Sequence, residues 1–406
     1  MGKSTQQPKK EHNAEGELTL RLEAFDTWFF RESRPHDAAG ATELGSLFPP
    51  PIRTLAGAIR TYMGDAMGID WQTLTCSGSN FDFEQQLGNA EHLGQLQLQG
   101  AWIIYDGQRL YPVPAYLMKK DDSLERLEIG NAVRCDLGTV RLPQMPKDCV
   151  GYKNLEQHWL TGAGIRLCLE GKLPDVLTSK SEEFKNKLAP GQHIVSLDEL
   201  LGYEPRLGIA RDNQSRAVEK GKLYQTQHIR LKEAVQIEIN AKHLSPELIS
   251  TMDNSETIRL GGEGRMASVH ASHESEAFPF SLIKKSQFCV HFITPADFGR
   301  HMFPESFEHI EVEGENVWRG ELNGIQFDIV AAVIGKAHRE GGWDMKNHQP
   351  RAVKSYTPAG SIWFCRLTDA EDSKQLNDVL HNQCIGLETA LGRGHILLGQ
   401  WPETQK

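Results

Sequence analysis

The chain is poor in the features that most readily classify a protein. Its seven cysteines (Cys76, Cys135, Cys149, Cys168, Cys289, Cys365 and Cys384) are odd in number and include no C-x-x-C pair. They supply neither a disulfide framework nor a zinc knuckle, and they read as buried, reduced thiols. Apolar runs are short: the longest, such as residues 329–335, fall far below the roughly 18 residues a membrane helix needs. Residues 3–17 are polar and lack the apolar segment of a secretion signal, so a soluble, cytoplasmic chain without membrane contact is expected. Gly262-Glu263-Gly264 and Gly392-Arg393-Gly394 lack the third glycine and the strand-to-helix setting of a dinucleotide site. His36 beside Asp37, and His270 near His273, have no further ligands at useful spacing, so neither metal nor cofactor is expected. Positive charge is also in deficit, since 44 Lys and Arg against 54 Asp and Glu leave a net of −10. A surface that coats nucleic acid throughout is disfavoured, although a local basic groove is not.

What is present is a globular composition. Adding 37 glycines, about 9% of 406 residues, to the 39% apolar set gives roughly 48%, the usual range for folded domains. At about 150 residues per domain, two or three are expected. Leu18, Leu20, Leu22 and Ala24 alternate with polar residues ahead of the aromatic run Trp28, Phe29 and Phe30, which predicts a strand within 18–30. Three prolines at 49–51 then precede Ile52, Leu55, Ala56, Ile59 and Met63, the spacing of one apolar helical stripe ending near Gly64. Residues 68–202 are turn-rich and weakly patterned and read as an insertion. Residues 207–232 read as a hairpin with a long polar tip projecting from a sheet. Ser245, Pro246 and Glu247 mark a short helix start, and Thr257 to Leu260 resumes as strand.

In order, residues 18–262 give strand, helix, two strands, helix, strand, the element sequence of a ferredoxin-like domain. Residues 263–406 show further strands (266–271, 288–293, 327–334, 361–367) and a helix near 372–380, and read as a second α+β domain. The expected fold is therefore α+β, two ferredoxin-like domains in tandem, with residues 1–17 as a disordered tail.

Several residues point to a polyanion. Arg53, Gly57 and Arg60 fall on the helix face opposite the apolar stripe, where glycine permits close approach of a ribose-phosphate chain or of a neighbouring loop. From Tyr203 to Lys232, seven basic residues face three acids, a net of +4; from Lys336 to Arg366, six face two, again +4. The other 345 residues therefore carry −18, so positive charge is segregated. Tyr224, His228, Trp343 and Tyr356 interleave with it and offer rings on which unpaired bases could stack. Gly392, Gly394 and Gly399 around Arg393 and His395 could form a backbone nest for an anion. Glu305, Glu308, Glu311, Glu313 and Glu315 read as a solvated acidic strand or as a face for a basic partner.

Five blocks carry a resemblance when taken in order: FPPPIRTLAGAIR, LGIARDNQSRAVEKGKLYQTQHIRL, RLGGEGRMASV, GGWDM with TPAGSIWF, and the closing glycine-rich turn. Together they resemble subunit three of the Cmr complex, the type III-B CRISPR effector member of the RAMP superfamily, from Leu18 to Trp401; residues 68–202 lie outside the resemblance. It implies tandem RAMP (RRM-like) domains without catalysis of their own, which hold the 5′ handle of the CRISPR RNA in antiviral defence. The partners implied are the large polymerase-like subunit and neighbouring RAMP backbone subunits. Carried onto this chain, it places Arg53, Gly57 and Arg60 near the guide, with Arg211, Arg216, Tyr224 and His228 from the hairpin. Lys354, Gly360, Ser361, Arg393 and Gly394 would complete the handle pocket. The last turn reads GRG where the resemblance leads one to expect an aromatic, so Arg393 would substitute charge for stacking. Two other readings stay open: an endoribonuclease using His228, His348 or His36 as acid or base, and a pure protein-docking scaffold.

Overall fold

The computed structural model describes residues 10–14, 16–32, 43–71, 81–89, 92–147, 149–175, 186–211, 215, 217–252, 256–344 and 347–402. The architecture is mixed α/β and dominated by antiparallel sheets. The larger sheet has eight strands in the spatial order Ile194–Ser196, His158–Thr161, Gln108–Pro112, Gln97–Tyr105, Val235–Lys242, Leu18–Ala24, Met266–Ser272 and Glu256–Arg259. All its neighbours are antiparallel. Leu18, Leu20 and Leu22 point to one face and meet Ile237 and Ile239 there. The helix Ile52–Ala66 lays Ile52, Leu55, Ala56, Ile59 and Met63 against the same core. Ser245 caps the short helix Pro246–Thr251, its hydroxyl accepting from the Leu248 amide at 3.2 Å, as its Ser-Pro-Glu start requires.

Along the chain, the four middle strands of this sheet (18–24, 97–105, 235–242, 266–272) lie in the spatial order second, third, first, fourth. The C-terminal sheet has six strands, ordered Glu308–Val312, Glu315–Leu322, Ile325–Val333, Ile362–Leu367, Gln287–Phe292 and Ile396–Gln400. Its four strands 287–292, 325–333, 362–367 and 396–400 repeat the same spatial order, again antiparallel. Between its third and fourth strands lie the 3-10 turn Ala370–Lys374 and the helix Leu376–Leu380. Its first crossover carries a hairpin and, among the described residues, no helix. A third apolar cluster sets Trp102, Tyr111, Leu160 and Ile165 against Cys289, Ile293, Ile362, Phe364 and Leu397, so the two sheets share a core.

Four expectations change. Residues 68–202 are no appendage: strand Gln97–Tyr105 sits in the middle of the larger sheet, paired along its length with Val235–Lys242. Its residues face apolar clusters on both sides, Ile103 and Tyr105 on one and Trp102 on the other, which erases the alternation that marks a half-exposed strand. The hairpin is longer than 207–232 and contributes no strand to the main sheet. Its strands Leu201–Arg211 and Val218–Leu231 form a separate sheet with Glu43–Leu44, fastened at the base by reciprocal 2.8 Å backbone bonds between Trp28 and Ile229. Within the expected tail, Lys10–His12 is a strand, because Glu274–Glu276 offers it an open edge. Of the cysteines, Cys168, Cys289 and Cys365 are buried, but Cys135 is exposed on a hairpin; Cys76 lies outside the described residues.

Candidate nucleic-acid interface

The helix Ile52–Ala66 delivers two arginines and a gap to the surface. With the apolar stripe turned inward, Arg53, Gly57 and Arg60 share the outer side. A Cβ at Gly57 would meet nothing within 4 Å, so among the described residues no loop occupies the space that glycine leaves. Arg60 has no ion-pair partner among the described residues, and its Nε is buried without a hydrogen bond. Burial alone holds its guanidinium below the ordinary value, the signature of a cation lacking a counter-charge.

Arg53, two turns earlier, reaches into a cluster built by the C-terminal half. Its Nη2 donates to Glu388 Oε1, which also receives Lys354 Nζ at 2.7 Å. Arg393 Nε donates to Glu388 Oε2 at 3.3 Å and Arg393 Nη2 to Glu340 Oε2 at 2.6 Å, while its guanidinium lies 3.9 Å from the Tyr356 ring centre. Burial works against ionisation of Glu388, yet Lys354, Arg53 and Arg393 hold its carboxyl below the usual range. Burial likewise opposes ionisation of Glu340, and His338 and Arg393 overcome it. Beside the cluster opens a cavity of about 290 Å³ whose lining includes Arg53, Glu340, Arg351, Lys354 and Tyr356.

Three of the residues expected in the interface, Arg53, Lys354 and Arg393, thus converge from segments up to 340 positions apart. The others fare differently. Gly360 adopts φ +86° and packs against Val113, whose carbonyl oxygen a Cβ would meet at 2.4 Å; its amide donates to Phe292 O, and Ser361 is fully buried. The anion nest is overturned: the Gly392 amide donates to Thr389 O at 2.8 Å and the Gly394 amide to Pro295 O at 2.9 Å, so neither is free. Arg393 is only 2% exposed and committed to carboxylates. His228 is also buried, with Nδ1 3.1 Å from Thr27 Oγ1, Nε2 3.2 Å from Glu263, and its ring stacked on Phe29. Burial, with Arg265 and Arg206 nearby, keeps its imidazole below its ordinary value. The Tyr224 ring covers Gly208 across the hairpin.

The positive charge counted at 203–232 is partly neutralised, since Arg206 and Arg230 both grip Asp26 and Glu204. Arg216 and His36 lie outside the described residues, as does the Arg211 side chain; His348 sits exposed in a turn. Among the described residues no group of three or more His, Cys, Asp or Glu is placed to hold a metal ion, and no helix is long and apolar enough to cross a membrane. Sequence patterning missed Glu388, Glu340 and Asp26, lone acids that the fold brings to cations mostly far along the chain: Arg53 and Lys354 for Glu388, Arg393 for Glu340, and Arg206, Arg230 and Arg265 for Asp26.

Comparison with known proteins adds the family. No curated protein matches the chain. Among solved structures, a chain of a type III-B Cmr-beta complex with cognate target RNA and AMPPnP, determined by cryo-EM, is similar with a TM-score of 0.45 and 16% identity, covering 85% of this chain and 86% of that one. A chain of the same kind of complex with cognate target RNA has a TM-score of 0.44 and 13% identity, covering 86% of each. The model of the family described as CRISPR-associated protein (Cas_Cmr3) matches residues 20–401. Because that match spans nearly the whole chain, the chain belongs to the Cas_Cmr3 family of CRISPR-associated proteins.

Proposed function

We propose that this chain is a non-catalytic subunit of a type III-B Cmr ribonucleoprotein that holds the 5′ handle of the CRISPR RNA and docks on the large polymerase-like subunit in the cytoplasm. Its two halves, 18–262 and 263–406, are read as ferredoxin-like RAMP domains on the strength of their common strand order. The observation that carries the RNA assignment is Arg60: a half-buried guanidinium without a counter-ion among the described residues, on the open side of Gly57 and two turns from the Arg53 cluster. A backbone phosphate supplies the missing charge, and glycine lets the strand approach. The hairpin tip, with Arg211, Arg216 and Tyr224, is assigned to the same strand.

The test uses the assembled complex. Arg60→Ala is expected to lower guide-RNA retention and to flatten its salt dependence, with complex assembly unchanged. Full retention at every salt concentration overturns the assignment. Incubation of the chain with repeat RNA in chelator is expected to leave the RNA intact, whereas 2′,3′-cyclic phosphate ends would establish an endoribonuclease.

A further inference from the structure

Glu388 occupies an unusual position in the Arg53 cluster. Two cations, Arg53 and Lys354, share its Oε1, while Arg393 at 3.3 Å and the Tyr356 hydroxyl at 3.4 Å share its Oε2. Donors spread over both oxygens of one anion in this way match the demands of a phosphate as well as those of a carboxylate. Glu388 holds φ +57° and ψ +29°, a left-handed conformation that an L side chain adopts reluctantly, and its neighbour Leu387 is 56% exposed. The carboxylate hangs from the flexible side chain of a surface turn, whereas Arg53 stands on a helix and Lys354 on strand Lys354–Tyr356. The cavity of about 290 Å³ opens onto Arg53, Lys354 and Arg351. Glu340, in the same lining, has Oε1 buried and without a partner, an acceptor in want of a donor.

We infer that Glu388 is the resting occupant of a phosphate site. When a phosphodiester of an RNA strand enters the cavity, the Glu388 carboxylate swings outward and Arg53 and Lys354 transfer their hydrogen bonds to phosphate oxygens. Arg393 stays anchored by Glu340 and Tyr356. Displacing an internal carboxylate lowers affinity for any anion that makes this contact alone. A strand held at further points, Arg60 among them, overcomes the competition, so the site rejects stray anions without losing the guide. This inference rests on the RNA-binding reading above.

The test measures guide-RNA retention across a salt series in the reconstituted complex, with melting of each variant as a control. Glu388→Gln keeps the side-chain length and removes the competing charge; Glu388→Gly removes the side chain and relieves the left-handed backbone. Both are expected to bind the guide about tenfold more tightly at a given salt concentration. Lys354→Ala is expected to bind more weakly. If the Glu388 variants weaken or leave unchanged the retention while Arg60→Ala lowers it, Glu388 is a fixed clamp between the halves and the inference is overturned with the RNA reading intact. If Arg60→Ala, Lys354→Ala and the Glu388 variants all leave retention unchanged, the RNA reading itself fails.

Discussion

Two ion networks of nearly the same composition differ in how far their central charges are withdrawn from water. At the hairpin base, Arg206, Arg230 and Arg265 surround Asp26, and Glu204 takes a second contact from the first two, with side chains 21–49% exposed. Between the halves, Arg53, Lys354 and Arg393 surround Glu388, with Glu340 beneath; Arg393 and Glu340 are 2% and 3% exposed. Water screens the outer network, and its members can exchange partners at small cost. In the inner network Arg393 and Glu340 have left water, while Arg53 and Lys354 keep 34% and 52% exposure, so it is the buried pair whose charges depend on each other being in place. Identical charge counts therefore have different consequences: the outer set tunes the surface potential of the hairpin, and the inner set fixes how helix Ile52–Ala66 meets the C-terminal turns.

Removing the buried cation of the inner network breaks the comparison most sharply. Arg393→Ala leaves the buried Glu340 facing a void and takes a cation from Glu388. Loss of one partner from a buried pair costs about 3–5 kcal/mol, and the cation–π contact with Tyr356 goes with it. Denaturant titration followed by tryptophan fluorescence is expected to show an early transition of that size, with Arg393→Lys intermediate because lysine restores charge without the two-armed geometry. A change below about 1 kcal/mol would place the inner network on the same footing as the outer.

His291 extends the comparison to a buried group with no hydrogen-bond or ion-pair partner among the described residues, only the edge of the Tyr116 ring. It lies in the core shared by the sheets, both ring nitrogens lack hydrogen bonds, and burial pushes its imidazole down to about 3. In the unfolded chain the same ring takes a proton near 6.5. Between those values the unfolded state binds more protons than the folded one, so stability is full above pH 6.5 and falls as pH drops towards 3. The expected loss is about 2 kcal/mol between pH 6.5 and pH 5. Melting of the wild type and His291→Leu across this range checks the sign: the variant should show a shallower slope, the remainder coming from His381 and His395, whose imidazoles burial also holds below the ordinary value. Parallel curves for the two proteins would remove His291 from the acid response.

The same contrast explains what was legible in the sequence. Leu18–Ala24 and Ile52–Ala66 have one wet side and one dry side, and their periods of two and 3.6 announce them. Strand Gln97–Tyr105 has no wet side and so no period, which is why a central strand read as part of an insertion. Arg53, Gly57 and Arg60 were visible as a group because helical spacing places them on one face. Glu388 was not, since two of its cations, Arg53 and Lys354, lie 335 and 34 positions away, and the nearby Arg393 read as part of a glycine nest. The closing glycines were visible but misread. Gly392 and Gly394 have φ of +71° and +67°, and a Cβ would meet Leu98 O at 2.7 Å and Ile385 O at 1.9 Å. They serve close backbone packing, a need that looks the same in sequence as an anion nest.

The smallest expected effect comes from the outer network. Asp26→Asn removes the carboxylate that Arg206, Arg230 and Arg265 share, but Glu204 still holds two of them and solvent takes the third. Since these carboxylates are held below their ordinary range by hydrogen bonds from Arg206 and Arg230 in full contact with water, little folding free energy depends on them. The melting midpoint should stay within experimental scatter of the wild type. The charge change is nonetheless real: one negative group is lost beside the hairpin, so RNA association should quicken at low salt and match the wild type at high salt. A large fall in melting temperature would show that the hairpin base is held by this ion network rather than by the Trp28–Ile229 backbone pairing, reversing the ranking of the two networks.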